Sequence, residues 1–114
     1  MITRYATGPR MSQAVRANGF VFTAGQVAAD PSPSVGAQTA QILAQIDQLL
    51  ANAGTDKTRI VSASIWLSDI AGFAEMNSEW DKWVPAGEAP ARATVEAKLA
   101  TPAYLVEIAV IAVA

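Results

Sequence analysis

Over residues 90–113 the apolar and polar positions fall into two patterns. Across 90–99 they alternate, with Ala93, Val95, Ala97 and Leu99 on one side and Arg92, Thr94, Glu96 and Lys98 on the other. A period of two marks a strand with one buried face, because successive side chains of an extended chain point to opposite sides. After a break at Thr101-Pro102-Ala103, residues 105–113 are apolar at every position except Glu107. Such a run predicts a strand covered on both faces. One Arg and one buried carboxylate are the polar exceptions to explain.

The rest of the chain divides by the same criteria. Residues 12–17 lead into Asn18-Gly19, the pair most favoured in a two-residue hairpin turn, and 20–24 form the return strand. Gly25-Gln26-Val27 then passes into Asp30-Pro31-Ser32-Pro33, which reads as loop. Ser34 is placed to cap a helix running to about Ala53, with Val35, Ile42, Ile46, Leu49, Leu50 and Ala53 on one stripe and Gly54 as its stop. Residues 60–67 predict a strand with Val61, Ala63, Ile65 and Leu67 on one face and Ser62, Ser64 and Trp66 on the other. Ser68-Asp69 offers a cap for a second helix to about Trp83, with Phe73, Met76, Trp80 and Val84 on one side. A turn-rich connector, 85–90, follows, and a short additional strand is expected near residues 2–5.

This order predicts an α+β fold in one domain, 1–114: a two-layer sandwich of a five- to six-stranded mixed sheet with two helices on one face. The other face is left bare. It carries either Ile108 and Val110 or Ala109 and Ile111, so a second copy of the chain is the expected cover.

Composition narrows the chemistry. The chain has 114 residues, 52% of them hydrophobic, enough for a core without staples. It has no Cys and no His, which excludes disulfides, thiol catalysis, a Ser-His-Asp triad, a His general base and metal sites built on those ligands. Chemistry must run on Arg, Lys, carboxylates, hydroxyls and backbone. A net charge of −2 with eight scattered basic residues argues against nucleic acid as a partner. The N-terminal residues lack the apolar core of a signal peptide, and the C-terminal apolar run is about half of the roughly 20 residues that span a bilayer. No membrane association and a cytoplasmic location are expected.

Pro90-Ala91-Arg92-Ala93, Val95, Lys98 and Val106-Glu107-Ile108, together with Gly25-Gln26 after an early strand, Ala53-Gly54 closing the first helix and Asn77 in the second, resemble the Rid, or YjgF-type, family of enamine and imine deaminases. The resemblance covers nearly the whole chain. It implies a chorismate-mutase-like homotrimer with sheets inward, helices outward and a ligand cleft at each subunit boundary. It also implies hydrolysis of reactive enamines or imines, such as 2-aminoacrylate, to 2-oxo acids and ammonia, with no cofactor and no metal.

Carried over residue by residue, the resemblance makes Arg92 the holder of the substrate carboxylate, a task suited to a permanently charged planar fork. Without it, Arg92 reads as a solvated or ion-paired strand residue. Glu107 is implied to orient or activate the attacking water; its alternative is pairing with Arg92 or a neighbouring subunit's cation, since desolvation disfavours an isolated charge. Gly25 is implied to let backbone approach the ligand, or else marks a bulge. Asn77 lies near the implied cleft or is a plain polar helix residue, and Thr94 stands with these as a substrate-binding position. Trp66, Trp80 and Trp83 read as core or interface.

The chain departs from the deaminase pattern in three places. Gly8-Pro9-Arg10-Met11-Ser12-Gln13 replaces the commoner Gly-Pro-Tyr-Ser-Gln, so an aromatic pocket wall is missing or supplied elsewhere. Ala24 stands where Ser precedes the Gly-Gln, and Thr94 where Cys follows the Arg. These leave a second reading open: a non-catalytic trimeric module that binds small carboxylates or a protein partner. Chorismate mutase, which needs several cations, and ribonuclease, which ordinarily needs His, fit these residues less well.

Overall fold

Asn18 and Gly19, with φ of 51° and 80°, supply the two left-handed residues of a tight hairpin turn. They join β2 (Ser12–Ala17) to β3 (Phe20–Thr23), and β1 (Ile2–Thr7) pairs on the outer side of β2. The computed structural model, which describes all of residues 1–114, continues with α1 (Val35–Asn52), β4 (Ile60–Leu67), α2 (Phe73–Trp83), β5 (Ala91–Glu96) and β6 (Val106–Val113). Six strands form one mixed sheet in the order β1-β2-β3-β6-β4-β5. Only the β4–β5 pair is parallel. The last strand of the chain therefore sits inside the sheet, with Val106, Ile108, Val110 and Ala112 buried under the helices and Ala109 and Ile111 half-covered on the other face, rather than covered on both as expected.

Helix α1 starts at Ser34, whose Oγ accepts from the Ala37 N–H, and Gly54 at φ 84° follows its C-terminal end. Ile42, Ile46 and Leu50 of α1 and Met76 and Trp80 of α2 pack on Val21, Ala63, Ile65, Leu67, Val106, Ile108, Val110 and Ala112 in one continuous core. Both helices thus lie on the same face of the sheet. The shortest dimension of the molecule is 20 Å, the thickness of one sheet and one helix layer. On the opposite face Phe20, Phe22, Ala93, Val95, Ala109 and Ile111 lie uncovered or half-covered.

The predicted α+β class, the strand near residues 2–5 and both helices agree with the structure. Four local readings are corrected. Strand β5 ends at Glu96 rather than residue 99, because its partner β4 ends at Leu67, and the bond from Ala97 N–H to the Leu67 carbonyl closes the ladder. Its faces are also reversed relative to expectation: Arg92 and Thr94 lie toward the helices, and apolar Ala93 and Val95 face outward. In β4 a register shift between Ile60 and Ser62 turns Val61 out to 45% exposure and puts Ile60 in the core. Asp69 caps a single tight turn at Ile70–Gly72 rather than α2 itself.

One buried residue gave no signal. Gln38, on the polar count of α1, is fully buried. Its Nε2 donates to the carbonyls of Pro31, Pro33 and Ala103 at 2.8, 3.1 and 3.0 Å, and its Oε1 accepts from the Leu105 N–H at 3.0 Å. A single side chain thus ties the loop before α1 to the loop that delivers β6. Gln38→Leu fills the space but strands those backbone groups. Urea unfolding is expected to show a loss of about 3 kcal/mol, and a loss indistinguishable from zero contradicts this role.

Candidate functional site

The residues singled out by sequence gather into two groups on opposite sides of the sheet. Arg92, on edge strand β5, faces the helix layer. Its Nη1 donates to Asn77 Oδ1 of α2 at 2.7 Å, and its guanidinium carbon lies 5.2 Å from the Trp80 ring centre and 5.8 Å from that of Phe73. Two aromatic faces and one amide therefore hold a charge that makes no ion pair within the chain. The remaining guanidinium donors are available to a planar anion. Thr94, two residues on and on the same face, has a buried Oγ1 with no hydrogen-bond partner. Buried hydroxyls are ordinarily satisfied, so this orphan next to an unpaired cation is a feature folding alone leaves unexplained.

Glu107 belongs to the other group. In the ladder it stands opposite Trp66, while Ala63 stands opposite Arg92, so strand alternation sends Glu107 to the open face and Arg92 to the helix face. The two do not meet within one chain. Instead Glu107 presses against Gly25: a Cβ at residue 25 would collide with its carboxylate, at 2.9 Å from Cδ. Glycine suits position 25 because any Cβ there requires the Glu107 side chain to move. The strand pairing is prolonged past it, since Gln26 N–H donates to the Ile108 carbonyl at 2.8 Å and Ile108 N–H returns to the Gln26 carbonyl at 3.1 Å. These bonds fix Gly25 against β6.

Beside Gly25 opens a cavity of about 460 Å³ lined by Met11, Gln13, Gln26, Gln45 and Tyr104 among others. Met11, which replaces the expected Tyr, is in this wall, and Tyr104 brings an aromatic ring to the same cavity from the loop before β6. Gln13 and Gln26 entered the sequence reading only as parts of motifs, with no lining role assigned, and Gln45 did not enter it. Nothing in a lone Gln on a strand or helix distinguishes a lining position from a solvated one. Trp83 lies apart, donating to Asp47 at 3.0 and 3.1 Å with the Lys57 ammonium 5.4 Å from its ring centre. Asp30 and Asp56, whose carboxyls are held below their ordinary range chiefly by hydrogen bonds from the hydroxyls of Ser32 and Thr58, shape turns and line neither group. No helix is long and apolar enough to cross a membrane, and no three His, Cys, Asp or Glu side chains cluster as metal ligands do.

A two-layer α+β sheet with an unpaired Arg on an edge strand and a Glu set against glycine defines a recognisable class. The family model described as Endoribonuclease L-PSP matches residues 1–114. A RutC family protein of Haemophilus ducreyi is 45% identical, over 98% of this chain and 96% of its own. The crystal structure of a YjgF-family protein from Neisseria meningitidis superposes with a TM-score of 0.96 at 49% identity, over 99% of this chain and 94% of that one. The chloroplastic Reactive Intermediate Deaminase A of Arabidopsis thaliana is 37% identical over 80% of this chain and 51% of its own length. The chain belongs to this family, variously called L-PSP, YjgF, RutC and Rid.

The close approach at Gly25 yields a test that needs no ligand. Gly25→Ala must push the Glu107 side chain off its rotamer, at about 1 kcal/mol. In a Glu107→Ala background the same change is expected to cost little. Urea melts of the four proteins measure the coupling, and equal costs in both backgrounds contradict the contact.

Proposed function

We propose that the protein hydrolyses a small reactive enamine or imine bearing a carboxylate, such as 2-aminoacrylate or a related imino acid, to a 2-oxo acid and ammonia. The observation that carries this reading is the division of the site. Arg92 is a guanidinium bonded to Asn77 with no ion pair in its own chain, Glu107 is a half-buried carboxylate with none either, and they lie on opposite faces of one sheet. A second copy packed on the apolar open face brings the Arg92 edge of one chain to the Glu107 face of its neighbour. The family resemblance favours three copies, hence a homotrimer with clefts at its boundaries. The kinship with a reactive intermediate deaminase supports the chemistry.

In such a cleft the roles follow from the residue types. Arg92, set against the Trp80 and Phe73 rings and bonded to Asn77, clamps the substrate carboxylate. Thr94 Oγ1 offers a further hydrogen bond to it. Glu107 takes a proton from water as the oxygen attacks the carbon of the protonated imine, giving a neutral carbinolamine. It returns that proton to nitrogen and then takes the proton of the carbinolamine hydroxyl as the C=O forms and the C–N bond breaks, so that protonated imine plus water yields 2-oxo acid plus ammonium. Gly25 gives the ligand access to backbone beside the carboxylate. Water is the only co-reactant.

The substitutions at Met11 and Ala24 favour a second reading, in which the same clefts bind a small carboxylate without turning it over. A nuclease role, which the family model's description raises, fits poorly with ten acidic against eight basic residues and no His.

Imino acids generated in place and followed by 2-oxo acid formation above the spontaneous rate decide between these. The expected outcome is turnover that falls about 10²- to 10⁴-fold in Glu107→Gln and about 100-fold in kcat/KM in Arg92→Ala. Arg92→Lys, which keeps the charge but not the fork, is expected to recover little of it. Turnover equal in wild type and both loss variants overturns the reading. Binding of 2-oxo acids with no turnover favours the second.

A further inference from the structure

The cavity beside Gly25, about 460 Å³ and open to the surface, has room for more than a three-carbon imino acid. One wall is a chain of three amides whose polarity the backbone dictates. Gln45 Oε1 accepts from the Ala29 N–H at 3.1 Å and its Nε2 donates to the Val27 carbonyl at 3.0 Å, so Nε2 also faces Gln26 Oε1, at 3.4 Å. Gln26 Nε2 donates to the Ala24 carbonyl at 3.2 Å and to Gln13 Oε1 at 2.9 Å. Each orientation fixes the next. The chain ends on Gln13 with its acceptor used and its Nε2 donor without a partner. No charged side chain lines the cavity, and Met11 and Tyr104 add apolar surface.

Resting on the reading of Glu107 and Gly25 as the reaction centre, we propose that this cavity receives the substrate's side chain. It selects an uncharged side chain of several atoms that ends in a hydrogen-bond acceptor, such as an amide, ketone or sulfoxide oxygen, which Gln13 Nε2 binds. Met11 and the Tyr104 ring pack along the methylene part. The absence of any lining cation disfavours a terminal carboxylate, which would be desolvated without compensation. A purely apolar side chain of the same length leaves the Gln13 donor buried and unpaired.

Methionine and methionine sulfoxide provide matched probes, because their imino and 2-oxo acids differ by one uncharged acceptor oxygen. An amino-acid oxidase supplies each imino acid for the turnover assay, and the two stable 2-oxo acids are titrated by calorimetry. In wild type the sulfoxide partner is expected to be favoured about tenfold, in kcat/KM and in affinity. Gln13→Leu is expected to bring both ratios to about one. Gln13→Glu, which keeps the acceptor for Gln26 but replaces the free donor by a carboxylate oxygen, is expected to bring them below one. Turnover with no sulfoxide preference, or a preference unchanged in both variants, overturns the selectivity while leaving the hydrolytic reading standing. Preferential binding of the sulfoxide 2-oxo acid without turnover of either imino acid supports the cavity's role and overturns the hydrolysis. Neither turnover nor a binding preference overturns both.

Discussion

The alternation of side chains along a β-strand is the constraint on which the site depends. In the register of β5, β4 and β6, Arg92 stands across Ala63 and Glu107 across Trp66. Ala63 and Trp66 are three positions apart, an odd offset, so the two charges are sent to opposite faces of the sheet. No rotamer brings them together through a layer of backbone. A slip of one residue in either pairing would exchange the faces, and Ile65 and Leu67 in the core on β4 make that slip costly.

The rest of the architecture holds this arrangement in place. Because β6 lies inside the sheet, bonded to β3 and β4, the Glu107 backbone is fixed on a rigid element rather than a loop. Gln38 anchors the segment that leads into it, and Gln26 bonds to Ile108 beside it. On the other face α2 presents Phe73, Asn77 and Trp80 at spacings of four and three residues, one helical stripe that seats a guanidinium. Both groups of side chains are thus held by the fold itself. The open face, with Phe22, Val95 and Ile111, is apolar, and in the proposed assembly it is what a neighbouring copy would bury as it completes the site.

Much of this fold was legible because hydrophobic periodicity reports which positions share a face. It located the strands, both helices and the hairpin at Asn18-Gly19. Periodicity does not report what covers a face, so the apolar side of β5 read as buried although within one chain it is the open one. Nor does it see a one-residue bulge, which moved Val61 out and Ile60 in. Arg92, Glu107, Gly25 and Asn77 were nameable from the pattern around them, but their grouping depends on strand register and on the placement of α2. The roles of the glutamines were invisible for a different reason, although Gln13 and Gln26 stood within quoted motifs. Gln13, Gln26, Gln38 and Gln45 act through hydrogen bonds to backbone that is distant in sequence, and an amide side chain has the same composition whether it meets water or a carbonyl.

The central claim is that one working site draws Arg92 and Glu107 from two copies of the chain. Mixing inactive Arg92→Ala and Glu107→Gln chains, unfolding them together and refolding them tests it most directly. Random assembly of equal amounts leaves Arg92 and Glu107 both intact at about a quarter of the boundaries, so hydrolysis of the imino acid should return to about a quarter of the wild-type rate. A mixture that remains as inactive as its two parents, while assembling to the wild-type mass, contradicts the shared site.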